Sequence, residues 1–143
     1  MNEHDIGMLI KQLYDAKEKR ANEKLKQFGL TFSQFRLLIY IHEQGEVSLK
    51  EMEHYFSLTQ QTVAGIIKRL EEKGFVVTCA DSSDKRAKNV QMTEKGDDSY
   101  QKAIACYQQA QDLLIQDFST AEKNEFQRLL TMALQNIKKG EER

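Results

Sequence analysis

Two clusters of side chains in this chain carry the chemistry to hold a polyanion and read its hydrogen-bonding edges. The first is Gln60-Gln61-Thr62, followed by Gly65, Lys68 and Arg69. A glutamine amide both donates and accepts, and so can pair with adenine in the major groove of a duplex. Thr62 adds a hydroxyl for a phosphate or base and a methyl for thymine. Ala64 and Gly65 are small enough to allow close approach, and Lys68 and Arg69 suit phosphates. The second cluster is Asp84-Lys85-Arg86-Ala87-Lys88. Lys85 and Lys88 can neutralise phosphates, while the Arg86 fork suits the negative potential of a minor groove. Asp84 can orient the Arg86 guanidinium or pair with Arg69. Taken alone, each cluster also fits a solvated helix face or a polar turn, so the elements that carry them decide.

Apolar spacing predicts a first helix over about Asp5 to Phe28, with Ile6, Leu9, Ile10, Leu13, Tyr14, Ala21 and Leu25 near one face. Gly29 stops it. Thr31 with Gln34 forms a capping box, and Leu30 with Phe35 a hydrophobic staple, for a second helix running to about Glu43. Ser48 with Glu51 opens a short third helix to about Phe56. Thr59 caps a fourth, whose stripe of Val63, Ile66, Ile67 and Leu70 ends before Gly74. Packing that stripe inward turns Gln61, Gly65 and Lys68 outward, with Thr62, Ala64 and Arg69 beside them. Phe75–Cys79 and Asn89–Met92 read as the two strands of a hairpin around the turn Asp81–Asp84. Thr93 caps a fifth helix that extends to about Phe118. Ser119 with Glu122 starts a sixth, with Phe126, Leu129, Leu130, Ala133, Leu134 and Ile137 on one face, fraying into Lys138–Arg143.

Two short helices followed by a basic hairpin form a shape that lays one helix in a DNA groove and a wing beside it. The expected fold is mainly α with a small β-hairpin wing (α+β): a winged helix-turn-helix with flanking helices. Residues 1–143 read as one domain. Residues 31–92 form the winged-helix DNA-binding lobe, and residues 1–30 and 93–143 a helical dimerisation region.

The totals constrain the remaining classes. A formal net charge of −1 over 143 residues gives no global attraction to nucleic acid, so any affinity is local. Lys85, Arg86, Lys88 and Lys95 supply it. The two cysteines, Cys79 and Cys106, stand apart and offer no metal-ligand spacing, which fits a reducing cytosol. Both read as small apolar residues rather than oxidant sensors. The N-terminus lacks the pattern of a signal peptide, and no segment reaches the roughly 18–20 apolar residues of a membrane span. His4, His42 and His54 are scattered, with no carboxylate pair, nucleophile elbow or phosphate loop. The expectation is a cytoplasmic protein without cofactor or metal, and not an enzyme.

Asp84-Lys85-Arg86, five further residues and then Met92-Thr93-Glu94-Lys95-Gly96 resembles the D-x-R-x5-[LM]-T-x-x-G signature of the MarR family of bacterial winged-helix regulators. Leu30-Thr31-x-x-Gln34-Phe35 and Thr62-Val63-x-x-Ile66-Ile67-x-Arg69-Leu70-Glu71-x-Lys73-Gly74 match as well, and the resemblance spans nearly the whole chain. The chain departs from it at Ala64-Gly65, where members often carry serine or arginine. The resemblance implies a homodimer interlocked through the first, fifth and sixth helices, with one winged helix per subunit on a pseudo-palindromic site in double-stranded DNA. The apolar faces of those helices need a partner on their own account. The implied function is a sequence-specific transcriptional regulator, a dimeric repressor released by a small-molecule effector. The alternative is a winged helix used for protein contacts, without operator binding. Gln60, Gln61, Thr62 and Gly65 would face bases, Lys68, Arg69, Lys85 and Lys88 phosphates, and Arg86 the minor groove. A small aromatic effector would sit where the first, second and fifth helices meet, among Tyr14, Arg36, Tyr40, His42 and Tyr107.

Overall fold

The computed structural model describes residues 5–80 and 87–141. Helix α1 spans Ile6–Leu25, and its N-cap Asp5 accepts a hydrogen bond from the Met8 backbone N–H. A 3-10 turn, Lys26–Phe28, leads to Gly29 at φ 71°, a left-handed conformation that a side chain disfavours. Helix α2, Phe32–Gln44, opens with both halves of the expected capping box: Gln34 N–H to Thr31 Oγ1 at 3.2 Å, and Thr31 N–H to Gln34 Oε1 at 3.2 Å. Helix α3, Leu49–Phe56, is capped by Ser48, which accepts from Glu51 N–H at 3.0 Å. Helix α4 is Gln60–Glu72.

The sheet has three strands where a two-stranded hairpin was expected. Strand β1, Glu46–Ser48, pairs antiparallel with β3, Lys88–Met92, which in turn pairs with β2, Val76–Ala80. Three residues are too short a run for alternation to reveal. Their last member, Ser48, also serves as a helix cap, and that signal dominates the sequence.

Helix α5, Glu94–Leu114, stops four residues before the expected Phe118. Tight turn bonds take over: Ile115 N–H to Asp112 O and Gln116 N–H to Leu113 O, each at 3.3 Å, then Phe118 N–H to Ile115 O at 3.0 Å. Helix α6, Thr120–Glu141, continues through the lysines expected to fray. Cations at a helix C-terminus complement its dipole.

The chain divides into two compact units at Ala110–Gln111. In the first, α2 is the central element: Phe35, Leu37, Leu38 and Ile41 have no exposure. Leu25 of α1, Val47 of β1, Met52 of α3, Val63 and Leu70 of α4, Val76 of β2 and Val90 of β3 are fully buried around it. In the second unit, Phe118 meets Phe126 edge-on at 5.6 Å, and no α6 residue is buried.

Candidate nucleic-acid interface

Helix α4 is anchored on one side only. Val63, Ile67 and Leu70 are buried, Ile66 is half-buried, and truncating such a leucine to alanine costs about 2–5 kcal/mol. The opposite side is free of the protein: Gln60, Gln61, Thr62, Ala64, Gly65, Lys68 and Arg69 are all exposed. Thr59 Oγ1 accepts from Thr62 N–H at 3.2 Å, and the two hydroxyls lie 2.8 Å apart. No acidic side chain occupies the first turn, so the positive end of the helix dipole is open. The six helix positions expected to face DNA thus share one solvent-facing surface.

Two polar clamps fix the C-terminal end of α4, and neither role was assigned from the sequence. Lys73, the C-cap residue, donates from Nζ to Gly29 O at 2.6 Å and to Gln34 Oε1 at 2.8 Å. Burial, and secondarily Arg69, lowers the Lys73 pKa below its ordinary value. Thr93 Oγ1 donates to Gly74 O at 2.6 Å and accepts from Gly96 N–H at 3.0 Å, while Thr93 N–H donates to Phe75 O at 3.0 Å. A Cβ on Gly96 would lie 2.0 Å from Phe75 O. The Thr-x-x-Gly motif is therefore a junction: threonine ties the end of α4 to the start of α5, and glycine permits the backbones to meet.

In the wing, Lys88 is exposed and pairs with Ala80 at the outer end of the β2–β3 ladder. Lys85 and Arg86, the remaining expected wing contacts, Asp84, expected to orient Arg86 or pair with Arg69, and His4 lie outside the described residues.

The five residues expected at an effector site do not all converge. Tyr14 and Tyr107 flank Phe32, with ring centroids at 6.3 and 6.4 Å, and the Arg36 guanidinium lies 5.7 Å from the same ring. Arg36 also lies 5.5 Å from Phe56, and its Nε is buried without a hydrogen-bond partner among the described residues. Tyr40 joins from the side, stacked on Tyr55 at 4.4 Å and edge-on to Phe56 at 5.7 Å. His42 stands elsewhere, stacked on Tyr100 at 4.3 Å with Nδ1 3.6 Å from Asp97. Burial, then Glu43 and Asp97, pushes the Tyr100 hydroxyl pKa up. Lys17 was missed; its Nζ lies 5.9 Å from Phe32 and 5.5 Å from Tyr107. Its spacing from Tyr14, one helical turn, was the available signal.

Cys79 is exposed on β2 with Sγ 3.7 Å from Glu46 Oε1, and Cys106 is half-buried, 4.0 Å from Gln27 Nε2. Among the described residues there is no cluster of histidine, cysteine and carboxylate fit to hold a metal ion, and no helix is long and apolar enough to cross a membrane.

A family model described as MarR family matches residues 28–87. An HTH-type transcriptional regulator of Bacillus subtilis, YwoH, is 35% identical over 117 residues, covering 82% of this chain and 85% of that protein. Among solved structures, the transcriptional regulator SlyA superposes with TM-score 0.89 at 26% identity, over 95% of this chain and 96% of its own. The Staphylococcus aureus MepR–DNA complex superposes with TM-score 0.86 at 23% identity, over 96% of this chain and 99% of that one.

Proposed function

The chain belongs to the MarR family of winged-helix transcriptional regulators rather than to any class of enzyme, and from that premise we propose that it is an operator-binding, dimeric repressor. The observation that carries this reading is the outer face of α4. Seven polar or small positions stand exposed on a helix whose other side is locked into the core. Gln60, Gln61, Thr62 and Gly65 meet base edges. Lys68, Arg69, Lys85 and Lys88 neutralise phosphates, and Arg86 enters the minor groove. The DNA bound by MepR in its solved complex supports this use of the shared fold.

Two copies pair through the apolar faces of α1, α5 and α6. Ile6 at 77% exposure, Ile137 at 66% and Leu134 at 55% are poor surface residues unless a second subunit covers them. A twofold dimer sets its α4 helices about 34–36 Å apart, so the site is pseudo-palindromic. Residues 31–92 form the DNA lobe, and residues 1–30 and 93–143 the dimerisation region. The protein works in the cytoplasm, where its operator is.

Release by a small aromatic acid is the regulatory half of the proposal. Arg36, with its unpaired buried Nε, and Lys17 flank Phe32 beside Tyr14 and Tyr107, a setting that suits an aromatic carboxylate. His42 is no part of it.

Duplexes selected from a random pool by the purified protein test the reading. It expects one enriched two-fold sequence and a mobility shift that weakens steeply with salt. No enrichment, with capture of a protein partner instead, would leave the protein-interaction use of the winged helix.

A further inference from the structure

Six of the residues lining one cleft between α4 and the α1–α2 junction are Asn22, Lys26, Ser33, Gln61, Gly65 and Arg69; its volume is about 660 Å³. None of the lining side chains is acidic, and Lys26 and Arg69 are cationic. Gly65 sits in mid-helix on its wall. Its φ is not positive, and a Cβ built there meets no atom within 4 Å. The glycines ending α2 and α4 have positive φ, and Gly96 lies against backbone. Gly65 has neither reason, yet glycine inside a helix is costly relative to alanine. The fold does not ask for it, and the cleft that Gly65 lines offers a reason outside the chain.

We propose that this cleft seats the sugar–phosphate strand flanking the groove that α4 enters. Gly65, at the border between the base-facing residues and the cleft, is also the floor that lets the strand close on the helix, and Lys26 is a phosphate contact on the far wall. This rests on the reading of α4 as the recognition helix. The missing Cβ keeps that point of the wall at backbone level, between the side chains of Gln61 and Arg69. Ser33, half-buried on the same wall, adds a hydroxyl donor. The cleft is thus basic, open and unobstructed on the side where a duplex backbone must pass.

The test compares Gly65→Ala, Lys26→Ala and Arg69→Ala with the unaltered protein, at equal concentration, on the selected duplex and a scrambled one. Gly65→Ala should raise Tm by about 2–4 °C, because alanine favours the helix. It should at the same time weaken operator binding about tenfold or more. Lys26→Ala should leave Tm unchanged and reduce the slope of log affinity against log salt by about one. Opposite signs on stability and binding separate an external role from an internal one. If Gly65→Ala binds as tightly as the parent while Arg69→Ala is weakened, the cleft is empty of DNA and the recognition helix survives. If Gly65→Ala loses Tm as well, the glycine serves the fold and the inference falls. If the parent binds no duplex, the recognition reading fails and the inference with it.

Discussion

Lys73 shows how much one side chain off the exposed face of α4 does for that helix. Its ammonium satisfies the Gly29 carbonyl, left over where the first helix ends, and joins the Gln34 amide that completes the capping box of α2. The end of α4 is thereby tied to the start of α2. Lys73→Met removes both bonds while keeping the stem, and should cost about 1 kcal/mol. Urea unfolding would read this as a lower midpoint at unchanged slope; an unchanged midpoint would make the clamp incidental. None of this was legible in the sequence. Lys73 and Gly29 are far apart along the chain, and no periodicity or spacing rule joins a lysine to a particular carbonyl. The residues of α4 itself were legible, because one amphipathic helix carries both its buried and its exposed face in its own period. The effector set was half legible: Arg36, Tyr14 and Tyr107 meet around Phe32, but the helix turns His42 toward Tyr100 and Asp97. Its rotation about α2 needed packing to fix.

At the scale of elements, caps were the most readable feature. Thr31, Ser48, Thr59 and Ser119 all accept from the backbone N–H three residues on. The start of each helix is marked by a capping side chain; the end of α5 carries no such mark in the sequence, and its last turn tightens into i→i−3 bonds short of the expected point. The Ser119–Glu122 box also carries a pH signature. The Ser119 backbone N–H and hydroxyl hold the Glu122 carboxyl below its ordinary 4.5. Folded pKa lies below unfolded pKa, so the contribution is present above pH 4.5 and fades as acid takes the pH through the depressed value. Glu122→Gln, which keeps an acceptor for the Ser119 N–H but cannot titrate, should therefore flatten the acid limb of the unfolding profile. Parallel acid limbs for parent and variant, followed by circular dichroism, would remove the box from α6 stability.

At the scale of the whole molecule, the apolar faces of α1 and α6 lack cover. Leu9, Ile10 and Leu13 on α1, and Leu129, Leu130 and Leu134 on α6, are each at least two-fifths exposed. In the proposed dimer such a face is buried, and a charge placed there has no partner. Leu134→Glu should shift light scattering from dimer toward monomer. It should also weaken operator binding far more than binding to a scrambled duplex, since each subunit then grips one half-site alone. A dimer of undiminished mass would move the subunit interface away from α6.

The central claim, that α4 reads sequence in the major groove, is met most directly by comparing Gln61→Ala with the parent. The probe is a panel of selected operators, each altered at one symmetric base-pair position. The account predicts that the variant loses about 1–3 kcal/mol of discrimination at a single position and keeps it at all others. An equal loss at every position, or the full discrimination of the parent, would contradict it.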